Sequence, residues 1–140
     1  MKPKPTRQEI AQVFLRGGNC AQCVVGQFAE KLGYDREETD KMAACFGGGM
    51  LMGQTCGAVT GALMAIGLAC DDGKEAEGKA AAFEAAFKER FGSTMCRELL
   101  GYDLGDPTQL EAARASGKLI EYCPIPVEGA IEILEELLEN

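Results

Sequence analysis

From Met42 to Cys70 the chain carries no charged side chain, and seven residues of that stretch are glycine. A run of this length could be read as a membrane span. The glycines interrupt it, however, no aromatic belt or basic flank frames it, and Asp71-Asp72 closes it. The pattern predicts instead a glycine-rich loop at Gly47-Gly48-Gly49, then a helix from about Gln54 to Ala69 that is buried on nearly every side. Within that helix Gly57, Gly61 and Ala65 recur at intervals of four, leaving a bare stripe on which another helix can lie close. The rest of the chain then has to cover this helix, and no membrane span is expected.

The flanking sequence supplies covering helices. Thr6, with Glu9 three residues on, is a capping box for a helix carrying Ile10, Val13 and Phe14, which Gly17-Gly18 ends. Asn19 caps a second helix from Cys20 to about Leu32, with Gly33 as its stop. Asp35 opens a third, to about Cys45. An alanine-rich helix over about 74–91 presents Phe83 and Phe87 one turn apart. Ser93 and Thr94 precede a short helix through Leu100, and a modest helix ends near Ser116. Pro124 leads into a last helix with Ile131, Leu134, Leu137 and Leu138 on one face. That face suits docking on the same chain or a symmetric homodimer. Alternation of the strand type never lasts. The expectation is an all-α, compact single-domain bundle over residues 1–140, with about six or seven helices around a buried Gly/Ala-rich central helix.

The formal net charge is −8, spread along the chain, and such a field repels a phosphate backbone, so no nucleic acid partner is expected. There is no histidine. Its absence removes the His-activated nucleophiles, His metal ligands and the usual haem ligand. Seven cysteines remain, at 20, 23, 45, 56, 70, 96 and 123. An odd count with no apolar run after Lys2 and Lys4 predicts a reduced, cytoplasmic protein rather than a disulfide framework.

Four of these thiols fall at expected helix starts: Cys20 after Asn19, Cys56 after Gln54-Thr55, Cys96 after Ser93-Thr94, and Cys123 before Pro124. Unpaired N–H groups and the positive end of the helix dipole favour thiolate there and lower the pKa. Cys23 forms a C-x-x-C with Cys20 and could resolve a disulfide one turn along. Cys45 and Cys70 read as core filler. A zinc ribbon wants a second close pair, yet no other two cysteines stand closer than 11 apart. An iron–sulfur cluster would need the sulfurs to converge in space. The triple glycine lacks the Lys and Ser/Thr of a phosphate loop and reads as a turn that lets the backbone pass the central helix.

The same residues carry a family resemblance. The segments 18–22 (Gly-Asn-Cys-Ala-Gln), 46–50 (Phe-Gly-Gly-Gly-Met), 56–61 (Cys-Gly-Ala-Val-Thr-Gly) and 96–101 (Cys-Arg-Glu-Leu-Leu-Gly), with Cys123, resemble the redox-active C_GCAxxG_C_C family over nearly the whole chain. The family label writes the first two letters of its core in the other order. The resemblance implies a redox role for Cys20, Cys56, Cys96 and Cys123, the four that capping selects independently. With no C-x-x-C-H, haem is not carried over.

The sequence therefore predicts a thiol redox protein, an oxidoreductase if it is an enzyme, cycling these four cysteines with disulfide against an unidentified redox partner. Cys56 is the expected reactive sulfur. The cysteines are separated by 36, 40 and 27 residues, so only the fold can bring them together. Cys20 with Cys56 is the favoured pair, on the side of the glycine stripe. The alternatives are a zinc or iron–sulfur binder using the same four thiols, and a non-catalytic interaction module.

Overall fold

Five helix starts in this chain are set by side chains. Thr6, Asn19, Asp35, Asp72 and Asp106 each accept a backbone N–H from the turn that follows, which satisfies a donor that a helix start leaves unpaired. At the other ends Gly92, Gly101 and Gly117 take the left-handed conformation and stop their helices. The computed structural model describes residues 3–139. Among them it forms α1 (Arg7–Leu15), α2 (Cys20–Ala29), α3 (Arg36–Met42), α4 (Gly57–Ala69) and α5 (Gly73–Phe91), then α6 (Cys96–Leu100), α7 (Pro107–Ser116), α8 (Lys118–Tyr122) and α9 (Pro124–Glu139).

The fold is all-α. Nine α-helices stand among the described residues, more than the six or seven expected; the short helix expected through Leu100 is α6, and the unforeseen one is the five-residue α8 that the connector after α7 closes into. The β pairing among the described residues is one antiparallel bridge, Thr55 with Met95. No helix there is long and apolar enough to cross a membrane.

The glycine stripe seats α4 against α2. A Cβ at Gly61 would fall 2.6 Å from the Ala21 carbonyl oxygen and 2.8 Å from its Cα, so only glycine permits this spacing. Nine of the 10 residues of α2 are buried against seven of the 13 of α4, whose Gly67 faces solvent. This corrects the expectation that the helix after Gln54 is buried on nearly every side: the stripe side is closed, and the opposite side of α4 is only partly covered. On its other sides α4 meets α5 and α9. There Phe83 and Phe87 are wholly buried with ring centroids 5.8 Å apart, and Phe91 packs 4.7 Å from Phe87. Each such side chain contributes roughly 1.5–3 kcal/mol by leaving water. The apolar face of α9 is used within the chain itself, with Ile131 and Leu134 fully buried. On its outer side Glu132 meets Lys4 at 2.5 Å and Arg90 at 2.6 Å.

The glycine-rich segment is a turn, as the sequence suggests, but an unusual one. Residues 48–51 stay left-handed in succession, with φ of 59° at Gly48, 64° at Gly49, 60° at Met50 and 62° at Leu51. For Met and Leu that conformation costs on the order of 1–2 kcal/mol each. It is held by the loop beyond α6: a Cβ at Gly105 would lie 2.9 Å from the Met52 Cα, and Gly48 packs on Leu104.

Candidate functional site

Each of the four selected cysteines stands at or beside a helix start. Cys20 is the first residue of α2, behind an Asn19–Gln22 capping box. The Asn19 Nδ2 also donates to the carbonyls of Ala43 and Ala44, each at 3.1 Å, which ties this start to the end of α3. Cys56 is the residue just ahead of α4. That helix begins three residues later than its sequence suggests, because 54–56 pair with 94–96 instead of winding. The Cys56 N–H donates to the Thr94 carbonyl at 2.8 Å, and the Cys96 N–H to the Gln54 carbonyl at 2.6 Å. This exchange sets the starts of α4 and α6 side by side. Cys123 closes α8 and hands the chain to α9 through Pro124.

The close seam completes the assembly. A Cβ at Gly57 would fall 2.9 Å from the Cys20 Cβ, so the residue after Cys56 rests directly on Cys20. Cys20, Cys56, Cys96 and Cys123 all line one cavity of about 460 Å³, whose wall also includes Tyr122, Arg114 and several leucines. Cys20, Cys56 and Cys96 are buried at its floor, and Cys123 is half-buried.

The thiols are not equivalent. Cys56 has its pKa drawn below the ordinary thiol value, first by a hydrogen bond from the Cys20 thiol and then, against burial, by the Ala58 and Val59 amides of α4. Those amides face the sulfur without forming the close side-chain cap that an oxygen makes. Cys20 is pushed far the other way by its hydrogen bonds to Cys123 and Cys56 and by burial. It therefore holds its proton between two sulfurs. Burial, then the neighbouring Cys56 and Cys123, pushes Cys96 up to about 12. The expectation that a helix start lowers the pKa thus holds in direction for Cys56 and is corrected for Cys20 and Cys96. A helix dipole is a surface effect of modest size, and desolvation together with neighbouring sulfur outweighs it at these depths.

The remaining cysteines lie elsewhere. Cys23 borders a second cavity with Arg36 and Gln27, and burial raises its pKa to about 11. The C-x-x-C therefore does not share the four-thiol cavity. Cys45 is exposed, which corrects its reading as core filler: it sits in the turn after α3. Cys70, just past the end of α4, is half-exposed and packs against the edge of the main core. Tyr122, whose hydroxyl pKa is raised by burial and then by the neighbouring cysteines, and Arg114 were not singled out by sequence. A weak signal existed, since Leu104, Leu110 and Leu119 match no single helical face. Among the described residues, no group of three or more His, Cys, Asp or Glu side chains is placed to hold one metal ion.

Fold and cavity together define an all-helical thiol protein. The family model described as "Putative redox-active protein (C_GCAxxG_C_C)" matches residues 18–137, and the chain belongs to that family. No curated protein and no solved structure matches it.

Proposed function

We propose that this is a thiol–disulfide oxidoreductase of the cytoplasm in which Cys56 is the nucleophile and Cys20 the resolving thiol. The observation that carries the reading is the juxtaposition: Gly57 rests on the Cys20 side chain, so Cys20 and Cys56 meet on the wall of one cavity with Cys96 and Cys123, and the Cys20 hydrogen bond draws the Cys56 sulfur toward thiolate. The thiolate is the attacking species in disulfide exchange. Cys56 attacks one sulfur of a substrate disulfide, forming a mixed disulfide and expelling the other sulfur as thiolate. That thiolate takes the Cys20 proton. The Cys20 sulfur then attacks the Cys56 sulfur, and the second substrate sulfur leaves and is protonated from solvent. The substrate disulfide ends as two thiols and the protein as a Cys20–Cys56 disulfide. Cys123, the other sulfur within reach of Cys20, can attack that disulfide at Cys20, which moves it to Cys20–Cys123 and frees Cys56 as the thiol. A dithiol of the redox partner then reduces the Cys20–Cys123 disulfide, is itself oxidised to a disulfide, and restores Cys20 for the next turn. Cys96 stays protonated at the edge of this exchange.

The rival reading, a zinc or iron–sulfur site, draws on the same four thiols around one cavity. One experiment separates the two. Protein purified without oxygen is analysed for metal, and its thiols are counted and mapped before and after a mild oxidant. Exchange chemistry predicts negligible metal and loss of a thiol pair mapping to Cys20 and Cys56, abolished in Cys56→Ser. Stoichiometric iron or zinc with the four thiols protected would replace the redox reading by the binder.

A further inference from the structure

The thiol cavity carries more information than its floor. Its lining grades outward from buried sulfur to the exposed Leu51 and Arg114. Between them stand Leu104, Leu110 and Leu119, half-buried and belonging to neither packed core of the protein. Half-buried leucines that face a void are what an apolar guest would cover. The volume of about 460 Å³ falls within the roughly 300–1,000 Å³ of small-molecule pockets. Among the described residues Arg114 is the one charged residue on this wall, in a chain whose net charge is −8. It has no carboxylate partner among the described residues. An unneutralised guanidinium at the rim of an apolar cavity in an acidic protein selects an anion, and its planar fork suits a carboxylate.

Resting on the thiol-exchange reading, we infer that the substrate is a small disulfide on an aliphatic stem ending in a carboxylate, its sulfurs at Cys56 and its carboxylate at Arg114. A ring disulfide of this kind balances the exchange with no further reagent. Cys56 thiolate opens the ring to a mixed disulfide, and the freed sulfur takes the Cys20 proton. Cys20 then displaces the second sulfur, which is protonated from solvent. The ring compound leaves as a dithiol and the protein as the Cys20–Cys56 disulfide. With the dithiol as reductant the same steps run in reverse.

Three probes test this on the full, pre-reduced chain under single turnover: lipoate, a ring disulfide on an aliphatic acid; lipoamide, its neutral twin; and oxidised glutathione, a polar disulfide. Lipoate is expected to react about two- to fivefold faster than lipoamide at limiting concentration, the worth of an exposed charge pair of up to about 1 kcal/mol, with oxidised glutathione slower than either. Arg114→Gln should bring the lipoate-to-lipoamide ratio to about one, and Arg114→Glu should invert it. A ratio near one in the unaltered chain, a ratio indifferent to both substitutions, or preference for oxidised glutathione would overturn the substrate class and leave thiol exchange standing. Failure of all three disulfides, with Cys56→Ser no different from the unaltered chain, would remove thiol exchange and this inference with it.

Discussion

The face where α5 meets α9 and the seam where α2 meets α4 solve the same problem in opposite ways. The first is filled by large side chains: Phe83, Phe87, Ile131 and Leu134 leave nothing exposed. The second is closed by the absence of side chains, Gly57 and Gly61 resting on Cys20 and Ala21. Filling with side chains spends every contact on cohesion. Removing them brings backbone to backbone, and beside the closely held starts of α2 and α4 a cavity remains with four thiols on its wall. Cohesion and chemistry are housed in different parts of one bundle.

The largest expected effect lies on the filled face. Phe87→Ala should cost about 3–5 kcal/mol in urea unfolding, since a fully buried ring leaves a void its neighbours cannot close. The pH midpoint of Cys56 alkylation, recorded where the variant is still folded, should stay where it was. A midpoint displaced to that of an ordinary thiol would show the two regions to be one cooperative unit.

Gly61→Ala comes next, at about 1–3 kcal/mol, because the added methyl meets Ala21 backbone that cannot step aside. Gly78→Ala is its counterpart. Gly78 lies in α5, where an added methyl would meet nothing within 4 Å and φ is not positive, so the change should stabilise by about 0.5–1 kcal/mol. Equal costs at both glycines would mean that helix propensity, rather than close approach, explains the seam.

That pair of glycines also marks how far the sequence reaches. The stripe at Gly57 and Gly61, the caps at Thr6 and Asn19, and the apolar face of α9 are periodic or local, and all could be read in advance. So could the placement of four thiols at helix starts. The bridge between Thr55 and Met95 could not, because it joins segments 40 residues apart through backbone alone. Nor could the left-handed path through Met50 and Leu51, which the loop around Gly105 holds in place. Cys56 is the sulfur expected to react, but the rest of the ranking, the raised pKa of Cys20 and Cys96, escaped for the same reason: dipoles follow from local sequence, whereas burial and sulfur neighbours come from the assembled chain.

The ranking makes a pH test. Cys96, with a folded pKa of about 12 against an ordinary 9.0, keeps its proton where the unfolded chain releases it. The folded state then binds more protons than the unfolded one, so stability is fully present below pH 9.0 and is lost as pH rises toward 12. The slope is at most about 1.4 kcal/mol per pH unit for one group. Cys23, outside the cavity, adds a similar limb that ends near pH 11. Cys96→Ala should make the alkaline decline shallower without abolishing it. Unfolding midpoints that fall as steeply in the variant would contradict the buried, protonated state of Cys96.

The smallest effect belongs to the outer surface of α9, where Glu132 joins Lys4 and Arg90. The Lys4 hydrogen bond and, against burial, the weaker effect of the Arg90 hydrogen bond draw the Glu132 carboxyl below its ordinary value. A depressed folded pKa contributes stability that is present above the ordinary 4.5 and is lost as pH falls through the folded value. Because a third of the Glu132 side chain is exposed, solvent screens the group, and Glu132→Gln should cost under about 1 kcal/mol. Added salt should erase most of that cost, since exposed pairs separated from the core are screened within about 10 Å at 0.1 M. The variant should also unfold less steeply in acid than the unaltered chain. A cost several times larger, or one that high salt leaves intact, would place cohesion at the charged rim of α9 as well as in its phenylalanine-packed interior, and the division between the two regions would need a third member.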